Sequence, residues 1–213
     1  MIRHSAFAIA LLAALSACAS RDSEPGAAEA VAALARGVMG GGQTVAGQTA
    51  GAEAGPVIQA RLEKSGAEAA LRATGSNAGM VTFLAPNGVA LALRGGVLVQ
   101  TRGLGPDLMS SQAPSGTAIM AGSGSHQRRW QHLDGLGQTV TTEARCELSR
   151  GARKSFDLGA GPVALREVVE RCDAPDASPI ENGFWFDGAG RMRLSRQWIG
   201  PDAGHVAIAH LSD

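Results

Sequence analysis

The chain contains no tyrosine, only three tryptophans and five phenylalanines, and only two lysines, Lys64 and Lys154. The missing tyrosine rules out chemistry that depends on a phenolic hydroxyl. Arginine supplies nearly all of the positive charge, and the formal net charge is zero. No excess of either sign therefore draws the whole chain to nucleic acid or to an anionic membrane surface. Enzyme signatures are also missing. There is no G-x-S-x-G, no phosphate-binding loop, no G-x-G-x-x-G after a clear strand and no H-E-x-x-H. The Gly122-Ser123-Gly124-Ser125 stretch has flexible-loop composition and lacks the lysine of a phosphate loop.

What is present begins at the N-terminus. Met1-Ile2-Arg3-His4 is a short positive segment, and Ser5 to Ala17 carries no charge. That apolar run has the length of a signal-peptide core and is too short to cross a bilayer as a helix. It ends in Leu15-Ser16-Ala17-Cys18, which resembles the lipobox of bacterial lipoproteins. The resemblance implies a signal peptide over 1–17 and acyl chains on Cys18, which becomes the first mature residue. Each buried methylene adds about 0.8 kcal/mol, so several chains hold a protein firmly to a membrane. Ala19, in place of Asp, resembles the pattern of lipoproteins sent on to the outer membrane, facing the periplasm.

Cysteine is scarce too. Beyond Cys18 there are only Cys146 and Cys172, neither in a C-x-x-C and neither with a histidine three or four residues away. Two thiols in an exported chain read as one disulfide, with a metal site or a reactive thiol as the alternatives. His126 and His132 fall on one face of a strand but roughly 20 Å apart, too far to share an ion. No metal and no cofactor is expected.

Residues 18–55 are rich in Ala, Gly and Gln and read as a lipidated tether. Within it, Val31, Leu34, Ala35 and Val38 have helical spacing, which predicts a short helix over 27–38. From residue 56 to 213 the signals are those of strands. Val89, Leu91 and Leu93 alternate with Ala90, Ala92 and Arg94. Pro86-Asn87-Gly88 before them predicts a type I′ hairpin turn. Over Gln138 to Leu148, alternation puts Val140, Cys146 and Leu148 on a buried face and Thr139, Thr141, Glu143, Arg145 and Glu147 on a wet one. Arg193–Ile199 and His205–Leu211 are the expected last strands. Further turn signals at Asp134-Gly135, Asp187-Gly188 and Gly200-Pro201-Asp202 complete a mainly β reading: an antiparallel sandwich or barrel-like domain with a short N-terminal helix.

Gly96-Val97-Leu98-Val99-Gln100-Thr101-Arg102-Gly103-Leu104-Gly105-Pro106-Asp107-Leu108 resembles the signature of the group 4 capsule polysaccharide lipoproteins, the YjbF/GfcB type. Asn77-Ala78-Gly79, Asn182-Gly183-Phe184-Trp185-Phe186-Asp187 and Ser195-Arg196-Gln197-Trp198-Ile199-Gly200-Pro201 resemble further family segments in the same order, and Cys146 and Cys172 sit where the family tends to have its later cysteines. The resemblance covers roughly residues 55–210. The chain departs from it at Ala78 and Phe83, where Gly and Trp are expected, and at Trp130 and Phe184, where Tyr is expected. The resemblance implies a non-enzymatic accessory role in exporting or assembling an exopolysaccharide or capsule. The implied partners are a periplasmic protein, an outer-membrane β-barrel protein and polysaccharide.

Two segments are candidate binding surfaces. Thr101, Arg102, Gly103, Gly105 and Asp107 combine a guanidinium suited to carboxylates with glycines that admit a close backbone. The competing reading is a strand end and tight turn in which Arg102 and Asp107 pair. Arg196, Gln197 and Trp198 resemble a sugar-facing surface, although Trp198 equally suits a core. Asp107, Asp134, Glu143, Glu167, Glu170 and Asp187 are scattered. A periplasmic glycan-modifying enzyme using two of these carboxylates is the alternative function.

Overall fold

The computed structural model describes residues 32, 55–159, 161–175 and 177–212. The expected signal peptide, Cys18 and nearly all of the expected tether lie outside the described residues. So does the expected helix over 27–38, apart from Ala32, which is helical. The described chain forms twelve strands: β1 Val57–Leu62, β2 Glu68–Asn77, β3 Met80–Leu84, β4 Ala90–Arg94, β5 Val97–Arg102, β6 Leu108–Gln112, β7 Ser123–Leu133, β8 Thr139–Asp157, β9 Pro162–Asp173, β10 Ile180–Phe186, β11 Met192–Gly200 and β12 Gly204–His210. A one-turn helix, α1 (Gly116–Met120), lies between β6 and β7, and Ser115 Oγ caps it by accepting from Ala118 N.

All pairings are antiparallel, in the order β5-β4-β3-β2-β1-β12-β11-β10-β9-β8-β7-β6. The first and last strands pair, Ala60 opposite Ile208, so the sheet curls into a nearly closed barrel. Its gap falls between β5 and β6, which are consecutive in sequence and sit at the two ends of the sheet order. Of the two expected β architectures, this is the barrel.

Strand alternation fills the interior. Ile58, Leu71, Phe83, Leu91, Leu93, Leu98, Trp130, Cys146, Cys172, Val206 and Ile208 form its main cluster. β10, β11 and β12 are also covered on their outer face, where Phe156, Leu158 and Leu165 from the long β8–β9 hairpin pack on Trp185, Leu194, Ala207 and Ala209. Phe156 meets Trp185 edge-on at 6.3 Å. Gly183 is required beside that ring, because a Cβ there would collide with it.

Two local expectations are corrected. Asn87 does not take a positive φ; among the Pro86–Gly88 residues only Gly88 does, at 87°. Gly88 N donates to Ala85 O and Ala85 N to Val89 O, which is a type I turn followed by a glycine bulge rather than a type I′ turn. The two-residue type I′ form falls instead between β2 and β3, where Ala78 (φ 48°) and Gly79 (φ 75°) both adopt it. The second correction is Val140, which is 40% exposed although Cys146 and Leu148 on the same face are buried. Val140 lies at the start of β8, opposite His132 near the end of β7, where the barrel rim leaves no layer to cover it.

Candidate functional site

The signature segment builds the barrel seam. Thr101 Oγ1 donates to Asp107 Oδ1 at 2.8 Å and accepts from Leu108 N at 2.9 Å. The Asp107 carboxylate also accepts from Gly103 N and Leu104 N. One threonine and one aspartate thus substitute for the missing β5–β6 ladder at that end. Arg102 does not pair with Asp107; its Nη1 lies 3.1 Å from Met109 Sδ across the seam, and the residue is exposed. Gly103 and Gly105 both need positive φ, 85° and 90°. This group therefore forms a closed turn, with Arg102 as its exposed charge.

Arg196, Gln197 and Trp198 do not form one surface with it. Gln197 is buried, and its side chain reaches β5. Its Oε1 accepts from Leu98 N at 2.8 Å, and its Nε2 donates to Gly96 O at 3.0 Å. The two most specific segments of the resemblance are thereby joined by an amide that holds the edge strand. Arg196 is buried as well. Its Nε donates to both Glu63 oxygens, at 2.8 and 3.0 Å, and its Nη1 to Glu181 O.

A polar network that sequence spacing did not reveal crosses the interior. Glu170 is fully buried. Arg128 Nη1 donates to both its oxygens at 3.1 Å, Asn182 Nδ2 donates at 2.7 Å, and His126 Nε2 lies 2.7 Å away. Burial opposes ionisation of Glu170, but the charge of Arg128 and the bonds from His126 and Asn182 outweigh it and hold its pKa below the usual range. Burial lowers the pKa of Arg128, and Glu170 opposes that. The arginine also stacks over Trp130, 4.7 Å from the ring centre. The only sequence signal for this group is alternation, which sets His126, Arg128 and Trp130 on one face. Its members come from three strands, β7, β9 and β10, and meet only through register.

The disulfide joins Cys146 and Cys172, directly opposed on β8 and β9. His126, Cys146 and Glu170 place ligand atoms within 4.8 Å of one another. The disulfide occupies the Cys146 sulfur, however, and Arg128 occupies the carboxylate, so this donor set is committed elsewhere.

Asn182 links the network to a cleft. The β10–β11 ladder stops at Gly183 opposite Arg196, and Asn182 Oδ1 then accepts from Trp198 N at 2.7 Å. Past that point the strands splay. Trp198 meets Trp130 edge-on at 5.2 Å and His132 at 5.9 Å. A cleft of about 580 Å³ opens above it, lined by Glu63, Lys64, Pro179, Ile180, Pro201 and His205. Trp198 is 8% exposed, so it is chiefly core and offers the cleft only an edge. Burial and the nearby Arg196 push the His205 pKa down to about 3, although Glu181 O hydrogen-bonds its Nε2. His132 is also lowered by burial, against the pull of Asp202 and Asp134.

No curated protein matches the chain. A solved structure, that of the hypothetical lipoprotein YmcC from Escherichia coli K12, is similar in fold. It has a TM-score of 0.69 at 16% identity, covering 76% of this chain and 86% of that one. The model of a family described as "Group 4 capsule polysaccharide lipoprotein gfcB, YjbF" matches residues 41–211. With the seam, the disulfide and the Gln197 tether all lying inside that match, the chain belongs to the group 4 capsule polysaccharide lipoprotein family.

Proposed function

We propose that this protein is a non-enzymatic accessory of exopolysaccharide or capsule export. In this reading Cys18 anchors it in the outer membrane, and the barrel faces the periplasm. It contacts an outer-membrane β-barrel protein, a periplasmic export protein and the polysaccharide itself. The observation that carries the reading is the family match over residues 41–211, joined to the lipobox at Leu15–Cys18.

The chemistry of the carboxylates supports it. A glycosidase needs one carboxyl held protonated near neutral pH beside a second, with the two about 5 to 9.5 Å apart. Glu170 has the opposite character, with both oxygens engaged and its pKa lowered. Glu167 has a raised pKa, caused by burial, but a Cβ at Gly151 would fall 2.7 Å from its Oε2. That carboxyl is buried against the Gly151 backbone.

The test is to crosslink envelopes and recover the lipidated protein, identifying both bound proteins and bound glycan. Recovery of an outer-membrane barrel or a periplasmic export protein is the expected result. Trimmed glycan with no protein partner, lost in Glu167→Gln, would sink the reading.

A further inference from the structure

The strand directions sort the charges between the two ends of the barrel. β1 begins at Val57, so the chain enters from its tether at the end that also carries α1 and the turns after β2, β4, β8 and β10. Arg94, Arg150, Arg153, Arg166, Arg191 and Arg193 gather at that end. Asp187, the acid beside them, is already committed: it takes Arg191 at 3.0 Å and Arg193 at 3.7 Å, together with the backbone N–H groups of Ala189 and Arg191.

Arg153 and Arg166 stand out within this group. They face each other directly on β8 and β9, an arrangement in which like charges cost stability. Neither side chain makes a hydrogen bond or an ion pair among the described residues. Beyond the bulge between Arg150 and Arg153, both line a cleft of about 160 Å³ whose walls are Met120, Ala164, Val168, Phe186 and the Asp187 held by Arg191 and Arg193. Two adjacent guanidiniums that leave the nearby Asp187 to Arg191 and Arg193 form a fork for an oxyanion. The apolar walls beside them suit the CH face of a sugar ring. Both arginines are exposed at this concave cleft, whose size admits a pendant acidic group.

We propose that Arg153 and Arg166 form a subsite for the oxyanion of an acidic polysaccharide, a uronate carboxylate or a sugar phosphate. This rests on the reading above that the protein meets polysaccharide. It adds which chemistry is recognised and where. The cost of opposing two arginines is then offset when the ligand is bound.

The full chain, purified in neutral detergent, is titrated calorimetrically with an oligogalacturonate, with a sugar phosphate, with neutral dextran and with phosphatidylglycerol vesicles. Binding is expected to one of the two acidic sugars, which identifies the oxyanion, and not to dextran. Arg153→Ala/Arg166→Ala is expected to weaken it at least tenfold. Arg61→Ala, which removes an arginine already paired with Glu68, is expected to change it less than twofold. The double variant should melt at the same temperature as the parent or higher. Binding to neither acidic sugar, binding only to vesicles, equal losses in both variants or a lowered melting temperature would each overturn the proposal. A failed titration leaves the export role standing if the crosslinking partners are still recovered.

Discussion

Glu170 sits at 0% exposure with a guanidinium, an imidazole and an amide around it. Removing the charge strands Arg128 in the interior, and breaking a buried pair from one side costs about 3–5 kcal/mol. Glu170→Gln is therefore expected to lower unfolding stability by that order in a urea titration. His205 makes a second residue-level prediction. Its folded pKa lies near 3, below the unfolded value of about 6.5. Below pH 6.5 the unfolded chain takes up a proton that the folded chain refuses, so stability falls as pH falls. The slope from this one group approaches about 1.4 kcal/mol per pH unit between pH 6.5 and pH 4.5. Below the usual carboxylate range Glu170 adds a loss of the same sign. Melting temperature against pH should show the first decline, and His205→Asn should reduce it above pH 4.5, leaving the share of His132, whose pKa burial also lowers. At the β2–β3 turn, Ala78 holds a left-handed conformation that costs a non-glycine residue about 1 kcal/mol. Ala78→Gly, the residue the family resemblance expects there, should stabilise the protein by about that amount in the same urea titration.

At the scale of elements, the seam is the part of the fold with the least redundancy. Thr101 and Asp107 take the place of a β-ladder there, and Gln197 holds β5 from across the barrel. Thr101→Val leaves Leu108 N and an Asp107 oxygen short of partners, which costs about 1–3 kcal/mol. Hydrogen exchange should speed up in β5 and β6 before it does in β10 to β12. The Cys146–Cys172 bridge closes a sequence separation of 26 residues, and its removal should cost roughly 3 kcal/mol in the chain-entropy model. Several elements were legible in the sequence. Alternation over Gln138–Leu148 placed Cys146 inside, and the last two strands fall where their alternation put them. The closure was not legible, because pairing β1 with β12 depends on residues about 150 positions apart. The polar network escaped for the same reason: its register contacts leave no local spacing. The Asn87 turn misled because Asn-Gly suits two loop lengths, and residue identity alone does not choose between them.

Across the whole molecule, Arg94, Arg150, Arg153, Arg166, Arg191 and Arg193 gather at the end of the barrel where β1 begins, while Glu63, Asp107, Asp134 and Asp202 lie toward the other. A net charge of zero conceals this division, which only strand direction reveals. The resemblance named the family correctly, and its signature segments close the barrel through Thr101, Asp107 and Gln197. The proposal of an anchored accessory protein rests on the family match over residues 41–211 and on the lipobox resemblance at Leu15–Cys18. The most direct test is the amount of exported polysaccharide in a strain deleted for this gene and complemented with the wild-type chain or with Cys18→Ser. The account predicts that export falls on deletion, returns with the wild type and stays low with Cys18→Ser. Unchanged polysaccharide on deletion under inducing conditions would contradict it.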